Sequence, residues 1–238
     1  MLLQPENIRA ITLDFYGTLV YPRHGQGRGA KLMEYLAQHD LASDPWEHQI
    51  LYDVFGACGH RYSPWFSPAE QAAFEADLAR NVFERLRVQA PASSATQHSN
   101  ALWSILGPAG FAVFPEVTNV LAALEQAGYP LVMISNWQAG LSSFCQAFGF
   151  GHAFGHVLAS AEVGSAKPEA GIFLEAASRL GREPGEILHV GDTYRDDYEG
   201  ATAVGFKALL LTREPSTIPN DAETITTLDG LITRLELA

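Results

Sequence analysis

The stretch IRAITLDFYGTL, residues 8–19, decides the fold, because its short apolar run ends in a carboxylate followed by a glycine turn. Residues 11–13 are β-branched or aliphatic, as a buried parallel strand requires, and Gly17 permits a sharp exit from that strand. Asp14 is therefore predicted at the carboxyl end of a strand, the edge where open α/β sheets bind ligands. An isolated Asp before a turn is most often only a cap or turn former. A functional role for Asp14 is therefore indicated only if other segments supply partners for it.

Three further segments supply such partners. The run LVMISN at 131–136 is a second apolar strand that ends in a hydroxyl and an amide. The run SAKP at 165–168 places Lys167 just before a helix, with Pro168 suited to its first turn. The run ILHVGDTYRDD at 187–197 is a third strand that ends in a glycine and a cluster of acids. Strand ends placed in this order predict one shared site.

From residue 117 onwards the sequence pattern alternates between helix and strand. This alternation predicts a parallel sheet with right-handed crossovers. The fold class is therefore α/β, with a Rossmann-like, doubly wound parallel sheet. Beyond the strands already named, the pattern predicts helices at 117–127, 138–148, 169–180, 198–204 and 228–237, and strands at 156–160 and 207–211.

A helical insertion of about 90 residues separates the first two core strands. Apolar spacing predicts helices at 30–39 and 45–55, with Asp44 as the cap of the second, and Ser67 opens a third with a capping box. No strand is predicted there. The expected domains are a core at 1–21 and 113–238 and a helical cap at 22–112 that covers the pocket.

Composition argues against several classes of partner. The formal net charge of −12 argues against nucleic acid or an anionic membrane, and an anionic substrate then needs local positive charge or a metal. Two cysteines, Cys58 and Cys145, give no disulfide framework, which favours a reducing, cytoplasmic setting. The first residues lack the features of a signal peptide, and no apolar run is long enough to span a membrane.

Taken together, the four segments resemble the motifs of the haloacid dehalogenase (HAD) superfamily of aspartate-nucleophile hydrolases, most of which are magnesium-dependent phosphatases. The resemblance covers residues 8–20 and 115–238 and is especially close at 191–201. Residues between the first two motifs match in position and length only, at the place of the family's helical type 1 cap. The resemblance implies Mg²⁺ as cofactor and a small phosphorylated metabolite as substrate.

The resemblance also implies a set of metal ligands. An aspartate can attack phosphorus only if its charge and that of the phosphate are neutralised, which Mg²⁺ does well. Asp14, the nucleophile that forms an aspartyl phosphate, and Asp192 would hold the ion together with the backbone carbonyl of Tyr16. Asp197 is expected as a further acidic support, direct or through water, with Asp196 as the alternative. Alternatively, Asp196 and Asp197 have only a structural role, as an acid pair at the start of a helix, where the helix dipole favours negative charge.

Donors for the phosphoryl oxygens follow from the same resemblance. They are the Ser135 hydroxyl, the Lys167 ammonium, and backbone amides near Phe15 and Asn136. Trp137 is expected to border the pocket. His189, inside the third strand, is interpreted as a hydrogen-bonded core histidine.

One position departs from the phosphatase pattern. The second aspartate, which protonates the leaving group and activates water, is replaced by Tyr16. With an ordinary pKa of about 10, tyrosine is a poor base at neutral pH. The acid–base step is then supplied elsewhere, for instance by His24 or a cap residue, or is weak at a cost of about 10²–10⁴ in rate.

Two other functions stay open. Tyrosine at this place also occurs in 2-haloacid dehalogenases, in which Asp14 would displace halide from carbon and water would hydrolyse the ester without a metal. That branch lacks a Gly-Asp pair like Gly191-Asp192, and no clear carboxylate-binding arginine is found beyond Arg23 or Arg61. A non-catalytic binding module is disfavoured because the nucleophile is retained. Phosphatase chemistry is the favoured prediction.

Overall fold

The computed structural model describes residues 4–23, 27–47, 49–58, 67–213 and 222–237. The chain divides into two compact units: a core unit of residues 1–21, 113–137 and 149–238, and a helical unit of residues 22–112 and 138–148. The segment 138–148, expected in the core from the sequence, groups with the helical unit. Assignment of residues 22–112 as a cap stays a prediction.

Elements are numbered in chain order. The strands are β1 (Ala10–Leu13), β2 (Val20–Pro22), β3 (Phe111–Val113), β4 (Leu131–Ser135), β5 (His156–Ala159), β6 (Ile187–Gly191), β7 (Lys207–Leu211) and β8 (Thr224–Ile225). The helices are α1 (Arg28–Gln38), α2 (Gln49–Cys58), α3 (Pro68–Arg85), α4 (Ala95–Leu106), α5 (Val117–Gln126), α6 (Leu141–Ala147), α7 (Ser160–Val163), α8 (Ala170–Leu180), α9 (Gly200–Ala203) and α10 (Asp229–Arg234).

A six-stranded parallel sheet forms the centre of the core unit, in the order β5-β4-β1-β6-β7-β8. Strand β1 is buried along its whole length and lies between β4 and β6. Leu13 is in register with Met133 of β4 and with Val190 of β6, so the three strands end at nearly the same level. Strand order reverses at β1, which creates the crevice where such sheets bind ligands. The predicted Rossmann-like α/β fold is confirmed.

Details at several element ends differ from the sequence predictions. Helix α8 begins at Ala170, so Pro168 precedes the helix instead of lying in its first turn. The helix predicted from residue 198 starts as a wide π-type turn at Tyr194–Glu199 and continues as α9. The short edge strand β8 was not predicted, and α10 is shorter than the predicted 228–237.

In the helical unit, the capping box at the start of α3 is confirmed, since Glu70 N donates to Ser67 Oγ and Ser67 N donates to the Glu70 carboxylate. The predicted start of α2 at Pro45 is wrong, because the helix begins at Gln49. Asp44 donates its N–H to the Leu86 carbonyl (2.8 Å) and pairs with Arg87, so it is tethered to the chain after α3.

Short strands also occur at the edges of the insertion, where none was predicted. Strands β2 and β3 pair as a two-stranded ribbon where the chain enters and leaves the insertion. Among the described residues, no helix is both long and apolar enough to cross a membrane.

Candidate active site

The carboxylate of Asp14, directly after β1, is the centre of the site. Asp14 is buried, and its backbone N–H donates to the Val190 carbonyl of β6 at 2.9 Å, which fixes its position against the neighbouring strand. Ser135, the last residue of β4, donates its hydroxyl to Asp14 Oδ1 at 3.0 Å. The ends of β1 and β4 therefore bring together two of the predicted site residues.

Lys167 reaches the same carboxylate from the loop before α8. Its Nζ lies 2.6 Å from Asp14 Oδ1 and 2.5 Å from Asp197 Oδ1, and its side chain is buried. Asn136 fixes the lysine backbone at both ends, since its Oδ1 accepts from Lys167 N (2.7 Å) and its Nδ2 donates to Lys167 O (2.8 Å). The side chain of Asn136 thus orients the lysine, while the predicted role of the nearby backbone amide is untested.

A buried hydrogen-bonded chain behind Asp197 was missed by the sequence analysis. His189 Nε2 lies 3.1 Å from Asp197 Oδ1, and His189 Nδ1 lies 2.9 Å from the hydroxyl of Thr12. Because a carboxylate only accepts, Nε2 carries a proton and donates to Asp197. Thr193 N donates to Asp197 Oδ2 at 2.9 Å, so both carboxylate oxygens are held. His189 is a satisfied core histidine, as predicted, but it also orients an acid of the site.

The loop after β1 is fixed by contacts that the sequence did not predict. Gly17 has a φ of +85°, and a Cβ there would overlap the carboxylate of Asp192, so only glycine fits without a shift. The Arg213 guanidinium donates to the carbonyls of Gly17 (3.1 Å) and Thr18 (2.8 Å) and pairs with Glu116 (2.6 Å). These bonds hold the Tyr16–Thr18 backbone beside the nucleophile.

Electrostatics distinguish the three acids of the site. Burial raises the pKa of Asp14 above its ordinary value, and the Lys167 ammonium offsets this only in part. Burial opposes ionisation of Asp197 too, but Lys167 and the His189 hydrogen bond hold the pKa of Asp197 well below its usual range. Partial removal from bulk water and the charges of Asp14 and Asp197 raise the pKa of Asp192 to about 7, although part of this residue still reaches solvent. The Lys167 pKa is raised by its two acidic partners despite burial, so it stays protonated.

This charge distribution fits a divalent cation. Ligand oxygens of Asp14, Asp192 and Asp197 lie within 4.8 Å of one another. In the part of the chain that the structure describes, Lys167 is the only lysine or arginine that pairs with these acids. One ammonium beside three carboxylates leaves excess negative charge, and oxygen donors of this type are those that Mg²⁺ prefers. Both oxygens of Asp197 accept from protein donors, and direct ligand roles for Asp14 and Asp192, with Asp197 as support, stay a prediction.

A cavity of about 130 Å³ lies beside these acids. All the residues that line it belong to the core unit. They are Asp14, Tyr16, Ser135, Asn136, Lys167, Asp192, Thr193, Asp196 and Asp197. Asp196 therefore lines the same cavity as Asp197. Among the described residues, however, the cluster of close carboxylates consists of Asp14, Asp192 and Asp197 and does not include Asp196. A ligand role for the Tyr16 carbonyl stays a prediction.

The aromatic residues next to the site behave differently from one another. Trp137 is buried and packs against Phe15 and Tyr16, and it is not among the described residues that line the cavity. Phe15 has a buried ring, and its backbone N–H donates to the Asp14 carboxylate. Of Phe15, Tyr16 and Trp137, only Tyr16 is classed as exposed. His24 and Arg61 lie outside the described residues, and Arg23 donates to the Ala109 carbonyl within the helical unit.

Several known proteins are similar in sequence to this chain. A family model described as haloacid dehalogenase-like hydrolase matches residues 8–205. A glyceraldehyde 3-phosphate phosphatase from Methanothermobacter thermautotrophicus is 29% identical over 173 residues, which cover 70% of this chain and 68% of the relative. Haloacid dehalogenase-like hydrolase domain-containing protein 3 of Danio rerio is 28% identical over 58% of this chain, and the match spans 57% of that relative.

Among solved structures, a HAD phosphatase from Thermococcus onnurineus matches with a TM-score of 0.63 and 23% identity, covering 96% of this chain and 98% of that chain. The likeness shows the fold alone. Because the family model matches residues 8–205, the chain belongs to the haloacid dehalogenase-like hydrolases.

Proposed function

We propose that this enzyme is a magnesium-dependent phosphomonoester hydrolase that acts through an aspartyl phosphate on Asp14. The observation that carries the proposal is the cluster of Asp14, Asp192 and Asp197 around a single lysine. A cluster of this charge accommodates a divalent cation and, through it, a phosphate. When bound, Mg²⁺ would neutralise negative charge on the phosphoryl group and the nucleophile.

The residues of the chain have separate tasks in this reaction. The Asp14 carboxylate attacks phosphorus, and the ester P–O bond breaks with its electron pair on the leaving oxygen, which takes up a proton. Lys167 and Ser135, both bonded to Asp14 Oδ1, orient the nucleophile and lie where they can donate to phosphoryl oxygens. Water then hydrolyses the acyl phosphate, which releases phosphate and restores the carboxylate.

Relatives support a small phosphorylated metabolite as substrate, since one of them is named a glyceraldehyde 3-phosphate phosphatase. A cytoplasmic setting is proposed because the two cysteines of the sequence give no disulfide framework. Neither nucleic acid nor a membrane is proposed as a partner, because the chain carries a net charge of −12.

Metal-independent 2-haloacid dehalogenase chemistry is the second candidate, and Tyr16 is the observation that favours it. A 2-haloacid dehalogenase from Pseudomonas syringae also shares the fold, with a TM-score of 0.62 and 22% identity. The cluster of Asp14, Asp192 and Asp197 argues against dehalogenase chemistry. Asp192 is close enough to Asp14 and Asp197 for their charges to raise its pKa, and a reaction without a metal gains nothing from that repulsion.

Three substrate conditions separate the candidates. The wild type and Asp14→Asn are incubated with 4-nitrophenyl phosphate in Mg²⁺, with the same ester in EDTA, and with 2-chloropropionate in EDTA. Turnover of the aryl phosphate by the wild type in Mg²⁺ alone supports the proposal. Chloride release in EDTA contradicts it in favour of the dehalogenase, and no turnover of either substrate contradicts it in favour of a binding module.

A further inference from the structure

One side chain binds two consecutive carbonyls of the loop after β1. The Arg213 guanidinium, in the segment that follows β7, donates from Nε to the Gly17 carbonyl (3.1 Å) and from Nη2 to the Thr18 carbonyl (2.8 Å). Its third nitrogen, Nη1, donates to Glu116 Oε1 at 2.6 Å. All three nitrogens of the guanidinium are therefore engaged, and they connect the loop to a distant acid of the core unit.

The guanidinium is itself held by the segment around the start of α5. The Arg213 Cζ lies 3.3 Å from the centroid of the Phe114 ring, a cation–π contact. Glu116 Oε1 also accepts from the Leu228 N–H at 3.4 Å. Burial opposes ionisation of Glu116, but its own backbone N–H and the Arg213 guanidinium hold its pKa below the ordinary value. Arg213 is thus a charged donor whose orientation is set before any ligand binds.

The peptide group that precedes these two carbonyls is fixed as well. Gly17 N donates to the Val20 carbonyl at 2.8 Å. Because the N–H and the carbonyl of a trans peptide point in opposite directions, this bond directs the Tyr16 carbonyl away from Val20. Arg213 fixes the next two peptide groups through the carbonyls of Gly17 and Thr18. Three consecutive peptide groups after the nucleophile therefore have defined orientations.

The conformation of this loop matters to the acids of the site. Gly17 has a φ of +85°, and a Cβ built on it would overlap the Asp192 carboxylate, so the loop backbone lies directly against that acid. A change in the loop at residue 17 would therefore alter the space that Asp192 occupies. Arg213 is not among the described residues that line the cavity, so any influence on the reaction passes through the loop.

We propose that Arg213 is a positioning residue: it keeps the loop after β1 in its reactive conformation beside Asp14 and thereby strengthens the binding of the divalent cation. This inference rests on the proposed magnesium-dependent function and adds a residue to it. Groups that orient metal ligands without binding the metal typically change its affinity by about 10–100-fold when they are replaced.

Arg213→Lys is the variant that tests this role. Lysine retains the positive charge, but its single nitrogen does not reproduce the planar fork that binds two carbonyls and Glu116 at once. The dissociation constant for Mg²⁺, measured by calorimetry on the metal-free protein, should rise on the order of tenfold. An unchanged dissociation constant would overturn the inference.

Arg234→Lys is the matched control. Arg234 also belongs to the core unit and has the same kinds of partner, with Nη1 3.2 Å from Glu223 Oε2 and Nη2 donating to the Thr224 carbonyl at 3.3 Å. None of these partners lies in the loop after β1. This variant should retain the wild-type affinity for Mg²⁺, and an equal loss of affinity in both lysine variants would overturn the inference.

Amide hydrogen exchange on the metal-free proteins separates this inference from the proposed function. Loss of a hydrogen bond from a charged donor should make residues 15–20 exchange on the order of tenfold faster in Arg213→Lys, with no change in Arg234→Lys. A wild type that binds no Mg²⁺ would contradict the proposed function, yet faster exchange confined to Arg213→Lys would still support the positioning role. Equal exchange in the wild type and Arg213→Lys would overturn that role, even if the wild type hydrolyses phosphate esters.

Discussion

The site consists of a buried layer and an exposed rim. The segment after β6 contributes one acid to each, Asp197 to the buried layer and Asp192 to the rim. In the buried layer, Asp197 is held by Lys167, His189 and Thr193, and its pKa is well below the ordinary value. On the rim, Asp192 is exposed, and the structure gives it no ion pair within the described part of the chain, while its pKa is raised to about 7. The difference indicates that the protein's own donors satisfy the buried layer, whereas the rim carboxylate is left to water or to a ligand.

Removal of the Lys167 ammonium from the buried layer should have the largest effect. Lys167→Met leaves Asp14 and Asp197 buried without their counter-ion, which should destabilise the protein by about 3–5 kcal/mol. Loss of a donor at the phosphoryl site should lower kcat by about 10²–10³. Urea unfolding without metal and turnover of 4-nitrophenyl phosphate measure the two effects.

Lys31→Met is the matched control for this variant. Lys31 pairs with Glu34 at 2.9 Å on the surface of α1, where both side chains are partly exposed. Loss of such a pair costs at most about 1 kcal/mol. If Lys167→Met unfolded at the same urea concentration as Lys31→Met, the buried layer would not have the role assigned to it.

Gly17→Ala tests the contact between the loop after β1 and the rim. A methyl group at this position would displace the Asp192 carboxylate, and a displaced ligand should lower kcat/KM by about 10². Gly128→Ala is the control, because Gly128 has a similar φ of +78° and nothing within 4 Å of an added Cβ. Both variants should lose about 1–2 kcal/mol of stability from the left-handed backbone. Equal activity in the two variants would contradict the close approach of Gly17 to Asp192.

Two substitutions at His189 test whether its ring orients Asp197. Gln places an N–H near the position of Nε2, whereas Asn reaches only as far as Nδ1 and Thr12. His189→Asn should therefore raise the Mg²⁺ concentration needed for half-maximal activity by about 10–100-fold, with a smaller change in His189→Gln. A role in packing alone would produce equal shifts in both variants, in proportion to their loss of thermal stability.

The raised pKa of Asp192 predicts the smallest effect, a pH-dependent affinity for Mg²⁺. Since the proton and the ion compete for this carboxylate, affinity should increase with pH and level off above a pH of about 7. Between pH 6 and pH 8 the dissociation constant should fall by about tenfold for release of one proton. Calorimetry on the metal-free protein measures the change, and Asp192→Asn should remove most of it. An affinity independent of pH in the wild type would show that Asp192 binds no ion.

The convergence of the site was predictable from sequence because each of β1, β4 and β6 is a short apolar run that ends in polar residues. Parallel strands end at one edge, so Asp14, Ser135 and Asp192 had to approach one another. The connection through His189 was not predictable in the same way. It depends on the register that places Thr12 beside His189 on the neighbouring strand, and spacing along the chain does not reveal that register.

Other features escaped prediction because they depend on contacts between distant segments. Arg213 is far from residue 17 in the sequence, and no motif marks it as a partner of that loop. Asp44 has the spacing of a helix cap, yet its contacts with Leu86 and Arg87 place it outside α2. Local patterns predicted the elements and their order, whereas these tertiary hydrogen bonds required the structure.

Crystals grown with saturating Mg²⁺ would show directly whether the acids bind a metal ion. We expect an ion about 2.0–2.1 Å from carboxylate oxygens of both Asp14 and Asp192, with Lys167 still bonded to Asp197. An empty site, with Asp192 turned to solvent and the Lys167 ammonium between the acids, would contradict it.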